Sequence, residues 1–191
     1  GSRGLGDVYK RQVDMLREMH IEPTALDNGF VPVDIDVTPL QFEINKEGVS
    51  RTYKGFDGYA PIMAYIGTEG YLVNLELRIG KQHCQKETPD FLRETIKLCR
   101  QLTEKPLLIR LDSGNDASEN IGIFMEESYK YNNVSFIIKR NPRQESKEEW
   151  LESVRECCKN IQHPRDGKTV YIGQTFRDMT YLSLYTSDAA D

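Results

Sequence analysis

Residues 31–42 read VPVDIDVTPLQF. Val33, Ile35 and Val37 alternate with Asp34, Asp36 and Thr38, and alternate side chains of a strand point to opposite faces. The spacing predicts a strand over about 31–38 with one aliphatic face and one face carrying two carboxylates and a hydroxyl. Carboxylates at i and i+2 stand roughly 6.6 Å apart and repel by about 2.5 kcal/mol at an effective dielectric near 20. Water screens that repulsion if the face is open. A bound cation offsets it if the face is a site, since carboxylate oxygens are natural ligands of magnesium.

The elements that follow decide what this strand belongs to. "NKEGVSRTYKGFDG", residues 45–58, is polar with no period and is expected to be a loop or a loose ribbon. "YAPIMAYIG" and "GYLVNLELRIG" are β-rich runs joined at "GTEG", the signature of a hairpin. In "TPDFLRETIKLCRQLTEK", Thr88 is placed to cap, Pro89 suits the first helical position, and Leu92, Ile96, Cys99 and Leu102 form one stripe. That predicts a helix over about 89–104. "PLLIRLD" reads as a buried strand ending at Asp112, followed by a turn and a helix from about Ser118. "VSFIIK" is a strand, and "SKEEWLESVRECCKN" a helix opened by a capping box of Ser146 and Glu149, with Trp150, Val154 and Cys157 on a core face. "KTVYIGQTFR" is strand-like.

Three strands that can form an antiparallel meander, then β-α-β units that should be right-handed and parallel, predict an α/β chain with a ribonuclease H-like mixed sheet. In that order the first strand lies beside the strand after the first helix. Asp34 or Asp36 then sits near Asp112 at the carboxyl ends of the strands, where open α/β sheets place ligands.

The 191 residues carry 38% hydrophobic and 29% charged residues and a net charge of −5, which suits one soluble domain and argues against a dedicated nucleic-acid coat. A local basic groove is compatible with that charge. No apolar run approaches the roughly 20 residues of a membrane span, and no secretory signal is legible. Cys84, Cys99, Cys157 and Cys158 include no C-x-x-C pair, which argues against zinc and for a reducing cytoplasm. "GLGDVYKRQ" and "SLYTSDAAD" read as adapter-derived, so residues 1–12 and 183–191 are expected to be tails. Residues 13–29 are expected to be a connecting segment with a short helix, 30–145 the ribonuclease H-like core, and 146–182 the start of a C-terminal part.

Several stretches resemble the bacterial DDE transposases of insertion sequences. Asp36-Val37-Thr38 is similar to their first acidic motif. "YKGFDGYAPIMAYIG" resembles the K-G-Y-x-G-Y-x-P-L segment through Lys54, Gly55, Gly58, Tyr59 and Pro61. "LRIGKQH" resembles L-R-x-G-N-x-H with Gln82 in place of Asn; "LIRLDSGN" resembles I-R-x-D-S-G-F with Asn115 in place of the aromatic; "FIIKRNPR" resembles a strand ending in R-N-P. The likeness spans about residues 30–145. It implies DNA cleavage and joining at insertion-sequence ends by two-metal phosphodiester transfer with Mg²⁺ or Mn²⁺. Asp36 and Asp112 are then the catalytic metal ligands, with Asp34 a weaker candidate. Lys139, Arg140 and Arg143, with Lys54, Arg78 and Lys81, are the candidate DNA contacts. His83 is placed to touch substrate or to be an ordinary loop histidine, and Asp116 reads as a cap.

The family's third acidic residue, a Glu in a Y-x-x-R…E…K pattern, has no counterpart here. Glu149, Glu152 and Glu156 lie upstream of where it belongs. The expectation is a catalytic-domain fragment whose native chain ran past Tyr181 and which is inactive alone. The intact enzyme is expected to act on DNA, as a homodimer in its synaptic complex, in the bacterial cytoplasm at the nucleoid, with no membrane partner. Two alternatives stay open: a non-catalytic transposase-derived DNA-binding module, and a haloacid-dehalogenase-like phosphatase with Asp34 as nucleophile and Asp36 as acid–base.

Overall fold

The computed structural model describes residues 6–43, 45–141 and 145–174, with side chains from residue 11. The chain divides into two compact units, Gly1–Arg140 and Asn141–Asp191, and each is described by itself.

The first unit opens with α1 (Gly6–Glu18). Helix extends through residues 6–12 of the stretch read as a tail, and Val13 and Leu16 further along it are almost wholly buried. Strand β1 (Val31–Val37) follows. Val31, Val33 and Ile35 are buried, Asp34 is half-buried and Asp36 exposed, so the expected alternation holds. A slip of one residue would drive both carboxylates into the core, which fixes the register.

Of the two expected forms, a loop or a loose ribbon, the structure has the ribbon, as three short antiparallel strands: β2 (Leu40–Gln41), β3 (Ser50–Arg51) and β4 (Asp57–Tyr59), ordered β2-β4-β3. Its strands are too short to show a period. Gly58 packs so closely on β2 that a Cβ there would lie 1.8 Å from the Leu40 carbonyl oxygen. The second glycine of the K-G-x-x-G spacing is thus a packing requirement, whereas the first, Gly55, is set by its positive φ.

Then come β5 (Ile62–Ile66) and β6 (Tyr71–Glu76), the expected hairpin; its turn uses positive φ at Gly67 and Gly70. Helix α2 (Thr88–Cys99) buries Phe91, Leu92, Ile96 and Cys99. It stops short of residue 104 because the chain turns after Cys99, where the Arg100 guanidinium donates to the carbonyls of Thr103, Lys105 and Asn133. Thr88 does not cap. It is the first helical residue, and its hydroxyl donates to the Cys84 carbonyl. Strand β7 (Leu107–Leu111), a 3-10 turn (Ser113–Asn115), α3 (Ser118–Tyr131) and β8 (Val134–Ile138) complete the unit.

The main sheet runs β6-β5-β1-β7-β8, with β1 antiparallel to β5 and parallel to β7, and β7 parallel to β8. This is the expected ribonuclease H-like mixed sheet. One face carries the core: Val33, Ile35, Ala64, Ile109 and Leu111 pack with Val13, Leu16, Leu92, Ile96 and Phe124. Each such burial stabilises the fold by about 1.5–3 kcal/mol. The phosphatase alternative fails here, because β1 is followed by short antiparallel strands and a hairpin rather than by a helix and a parallel neighbour.

The second unit holds α4 (Lys147–Cys157), with the capping box of Ser146 and Glu149 in place, then β9 (Cys158–Arg165) and β10 (Lys168–Gly173) paired as a hairpin. Trp150, Val154 and Cys157 are only half-buried, and no residue of α4 is buried, so the expected core face is not one. Among the described residues no helix is long and apolar enough to cross a membrane.

Candidate active site

Asp34 and Asp36 project from the face of β1 opposite the core. Asp34 faces Arg110 directly across the parallel pair. The guanidinium donates from Nε to Oδ1 and from Nη2 to Oδ2, both at 2.6 Å. The repulsion between the carboxylates of β1 is therefore offset by a fixed cation from β7, a third answer beside water and metal. The pairing raises the Arg110 pKa above its ordinary value. Both oxygens of Asp34 are engaged.

Ile35 pairs with Leu111, the last rung of the β1–β7 ladder. Asp36 is the next residue of β1, and Asp112 is the residue that directly follows β7. Asp36 Oδ1 accepts from the Val37 N–H at 2.9 Å. Asp112 Oδ1 accepts from the Gly114 N–H at 3.1 Å and from Asn115 Nδ2 at 2.9 Å, so this carboxylate also caps the 3-10 turn. Among the described residues no donor engages Oδ2 of either. Two hard oxygens are thereby free for a magnesium-type ion, and the donor set fits that ion. No group of three or more His, Cys, Asp or Glu placed to hold a metal occurs among the described residues.

A cleft of about 460 Å³ adjoins Asp112, with Val37, Tyr53, Lys81, His83 and Cys84 in its wall. Tyr53 is 71% exposed. The turn that carries it is fixed by buried Thr52, whose N–H and hydroxyl both donate to the Phe56 carbonyl at 2.8 Å. Burial first, and then the negative charges of Asp36 and Asp112, push the Tyr53 phenol above its usual pKa. Burial likewise raises the Cys84 thiol, with Asp112 adding to it, and Cys84 Sγ donates to the Gly114 carbonyl at 2.9 Å. Neither group adds negative charge beside the carboxylates at neutral pH. Sequence reasoning missed Tyr53, Cys84 and Arg110. Only the R-x-D spacing of Arg110 to Asp112 carried a signal.

The candidate cations divide. Lys81 and exposed Lys54 border the cleft region, Lys54 Nζ lying 5.9 Å from the Tyr53 ring centre. Lys139 is exposed, and its N–H donates to the Leu111 carbonyl at 3.1 Å, which anchors it beside Asp112. Arg140 is half-buried, and Arg143 lies outside the described residues. Arg78 is a correction: it is 2% exposed and cannot reach a phosphate. It donates to Glu76 at 2.5 Å and, at 3.0 Å each, to the Cys84 carbonyl and the Thr88 hydroxyl. Asp116 is buried at the end of the 3-10 turn, and α3 starts after Ala117. Glu149 caps its own helix in the second unit.

The family model described as transposase DDE domain group 1 matches residues 8–181. The chain belongs to this transposase family. The match begins inside the stretch expected to be a tail. Comparison with curated proteins returns no match. Among solved structures, a cryo-EM structure of the piggyBac transposase synaptic complex with hairpin DNA is similar at 14% identity and a TM-score of 0.48, covering 95% of this chain and 42% of that one. This transposase domain thus spans less than half the length of that protein.

Proposed function

We propose that this transposase domain carries out metal-assisted phosphodiester transfer on DNA, cutting and joining at insertion-sequence ends, with Asp36 and Asp112 as the metal ligands. The supporting observation is that both directly follow the last rung of the parallel β1–β7 ladder, each with one oxygen that no donor engages among the described residues. Divalent ions, when bound, lower the barrier by activating the attacking oxygen and stabilising the leaving one. The chain's own residues do the rest. Asp36 and Asp112 orient the site; Lys54, Lys81 and Lys139 meet backbone phosphates; Arg110 keeps Asp34 out of the ligand set. Arg140 and Arg143 extend the basic segment. The intact protein is proposed to work on transposon ends and target DNA as a homodimer, in the bacterial cytoplasm. The four free cysteines suit a reducing setting.

The test is thermal unfolding with Mn²⁺ or Mg²⁺. Binding to the folded state raises Tm, and Asp36→Asn or Asp112→Asn removes the rise. An unchanged rise in both variants overturns the assignment. In a nicking assay on supercoiled DNA this chain alone is expected to be inactive, because no third carboxylate joins the pair among the described residues. Metal-dependent nicking that Asp112→Asn abolishes would show a third ligand to be present. The same observation supports a second reading, a DNA-binding module without catalysis, for which metal changes neither Tm nor DNA affinity.

A further inference from the structure

We propose that the Asp34–Arg110 pair is a built-in counter-charge that sets the metal affinity of the site and confines ions to Asp36 and Asp112. This rests on the metal-site reading above. Three of the four side chains, Asp34, Asp36 and Arg110, stand on one open sheet face. Asp34 and Arg110 are cross-strand partners, Asp36 lies two residues on along β1, and Asp112 directly follows β7 as the cap of the 3-10 turn. Together the four carry a formal charge of −2, the charge that one divalent ion balances.

Asp34 taken alone is as good a ligand as Asp36. It lies about 6.6 Å away along the strand, close enough for the two to compete for or share an ion. The bidentate fork prevents this. Each Asp34 oxygen accepts a guanidinium hydrogen bond at 2.6 Å, and the planar fork holds the carboxylate edge-on toward β7. The pair is no fold requirement of the core, since both side chains are about half exposed, 43% for Arg110 and 51% for Asp34. An exposed ion pair contributes little to stability. Its effect on a divalent ion nearby is larger, because the ion doubles the Coulomb energy.

A unit charge about 7 Å from a divalent ion, in water-like surroundings and at low to moderate salt, changes affinity about threefold to sevenfold. The two partners then act in opposite directions. Arg110→Gln leaves Asp34 negative and raises Mn²⁺ affinity by that factor. Asp34→Asn leaves Arg110 positive and lowers it by the same factor. The double variant, an amide pair of similar shape, returns close to the wild-type value. A pair that merely clamped the strands would weaken binding in both single variants.

The measurement is Mn²⁺ titration of the full chain at low ionic strength, followed by the electron paramagnetic resonance signal of free Mn²⁺. Circular dichroism verifies the fold of each variant. A second arm tests confinement: Asp112→Asn abolishes binding in the wild-type background but not beside Arg110→Gln, where Asp34 and Asp36 form a new pair. Shifts of the same sign in the two single variants, or no shift in either, overturn the inference and leave the metal site standing. A wild-type chain that binds no Mn²⁺ overturns the site and the inference together.

Discussion

Arg78 offers a sharp test, because its sequence context and its surroundings point opposite ways. Replacing it with methionine keeps much of its volume and removes its charge and donors. Glu76 can rehydrate, being partly exposed, but the Thr88 hydroxyl and the Cys84 carbonyl lose a charged donor in the buried interior. Breaking one side of a buried charged network costs about 3–5 kcal/mol. Domains are stable by about 5–15 kcal/mol, so the loss is a large fraction, equivalent to roughly 10–17 °C in Tm for a unit of this size. Arg78→Lys keeps the charge but not the fork and should lose about half as much. The assay is urea unfolding at neutral pH, run beside DNA binding across a salt series. Removing a cation that binds a phosphate would flatten the log–log salt slope by about 1; Arg78→Met should leave that slope as it is. Stability within about 0.5 kcal/mol of wild type, combined with a flattened slope, would refute the reasoning and return Arg78 to the DNA-binding surface.

Cys99 is fully buried, and burial pushes its thiol up to about 12. Its contribution to stability is complete below about pH 9, the ordinary thiol value, and is lost as pH rises from there through 12. Thiol reagents should reach Cys84 in the native protein and Cys99 only after unfolding, which timed labelling checks. Gly80→Ala should destabilise by about 2 kcal/mol or more, because its Cβ would lie 2.1 Å from the Ser50 carbonyl oxygen and 2.4 Å from that of Gly58; equilibrium unfolding measures the loss. Tyr53→Leu should leave stability unchanged while weakening single-stranded DNA binding by about 1–3 kcal/mol, and Tyr53→Phe should bind like wild type. Fluorescence anisotropy with a short oligonucleotide separates the two.

The main sheet was legible because its strands are long enough to show a pattern. The alternation of β1, the apolar run before Asp112 and the stripe of Leu92, Ile96 and Cys99 each carry a period. The small sheet was not, since β2 and β3 have two residues each, and those of β2 are both exposed. Strand β9 was hidden by its polar composition and by Pro164, although Asp166-Gly167 before a β-rich run is a hairpin signal that could have exposed it. Asp36 and Asp112, the proposed ligands, are singled out by motif order. The Asp34–Arg110 pair is not, because it depends on a register between strands 76 residues apart in sequence. Arg78 misled for a general reason: a charged residue reads as solvent-facing until the fold supplies buried partners.

That separation also governs when the site can exist during folding. Hairpin β5–β6 and the helices close over short distances, whereas β1 must find β7 across most of the unit. Non-local parallel pairing is slow because the entropy of loop closure is spent before the strands stabilise each other. The two carboxylates therefore have no shared location until the central ladder has zipped to its last rung. An ion that prefers the paired carboxylates binds only to chains that have completed this step. Metal added during refolding should slow unfolding without accelerating folding, so a divalent ion would serve as a late-stage lock on the central strands rather than as a nucleus.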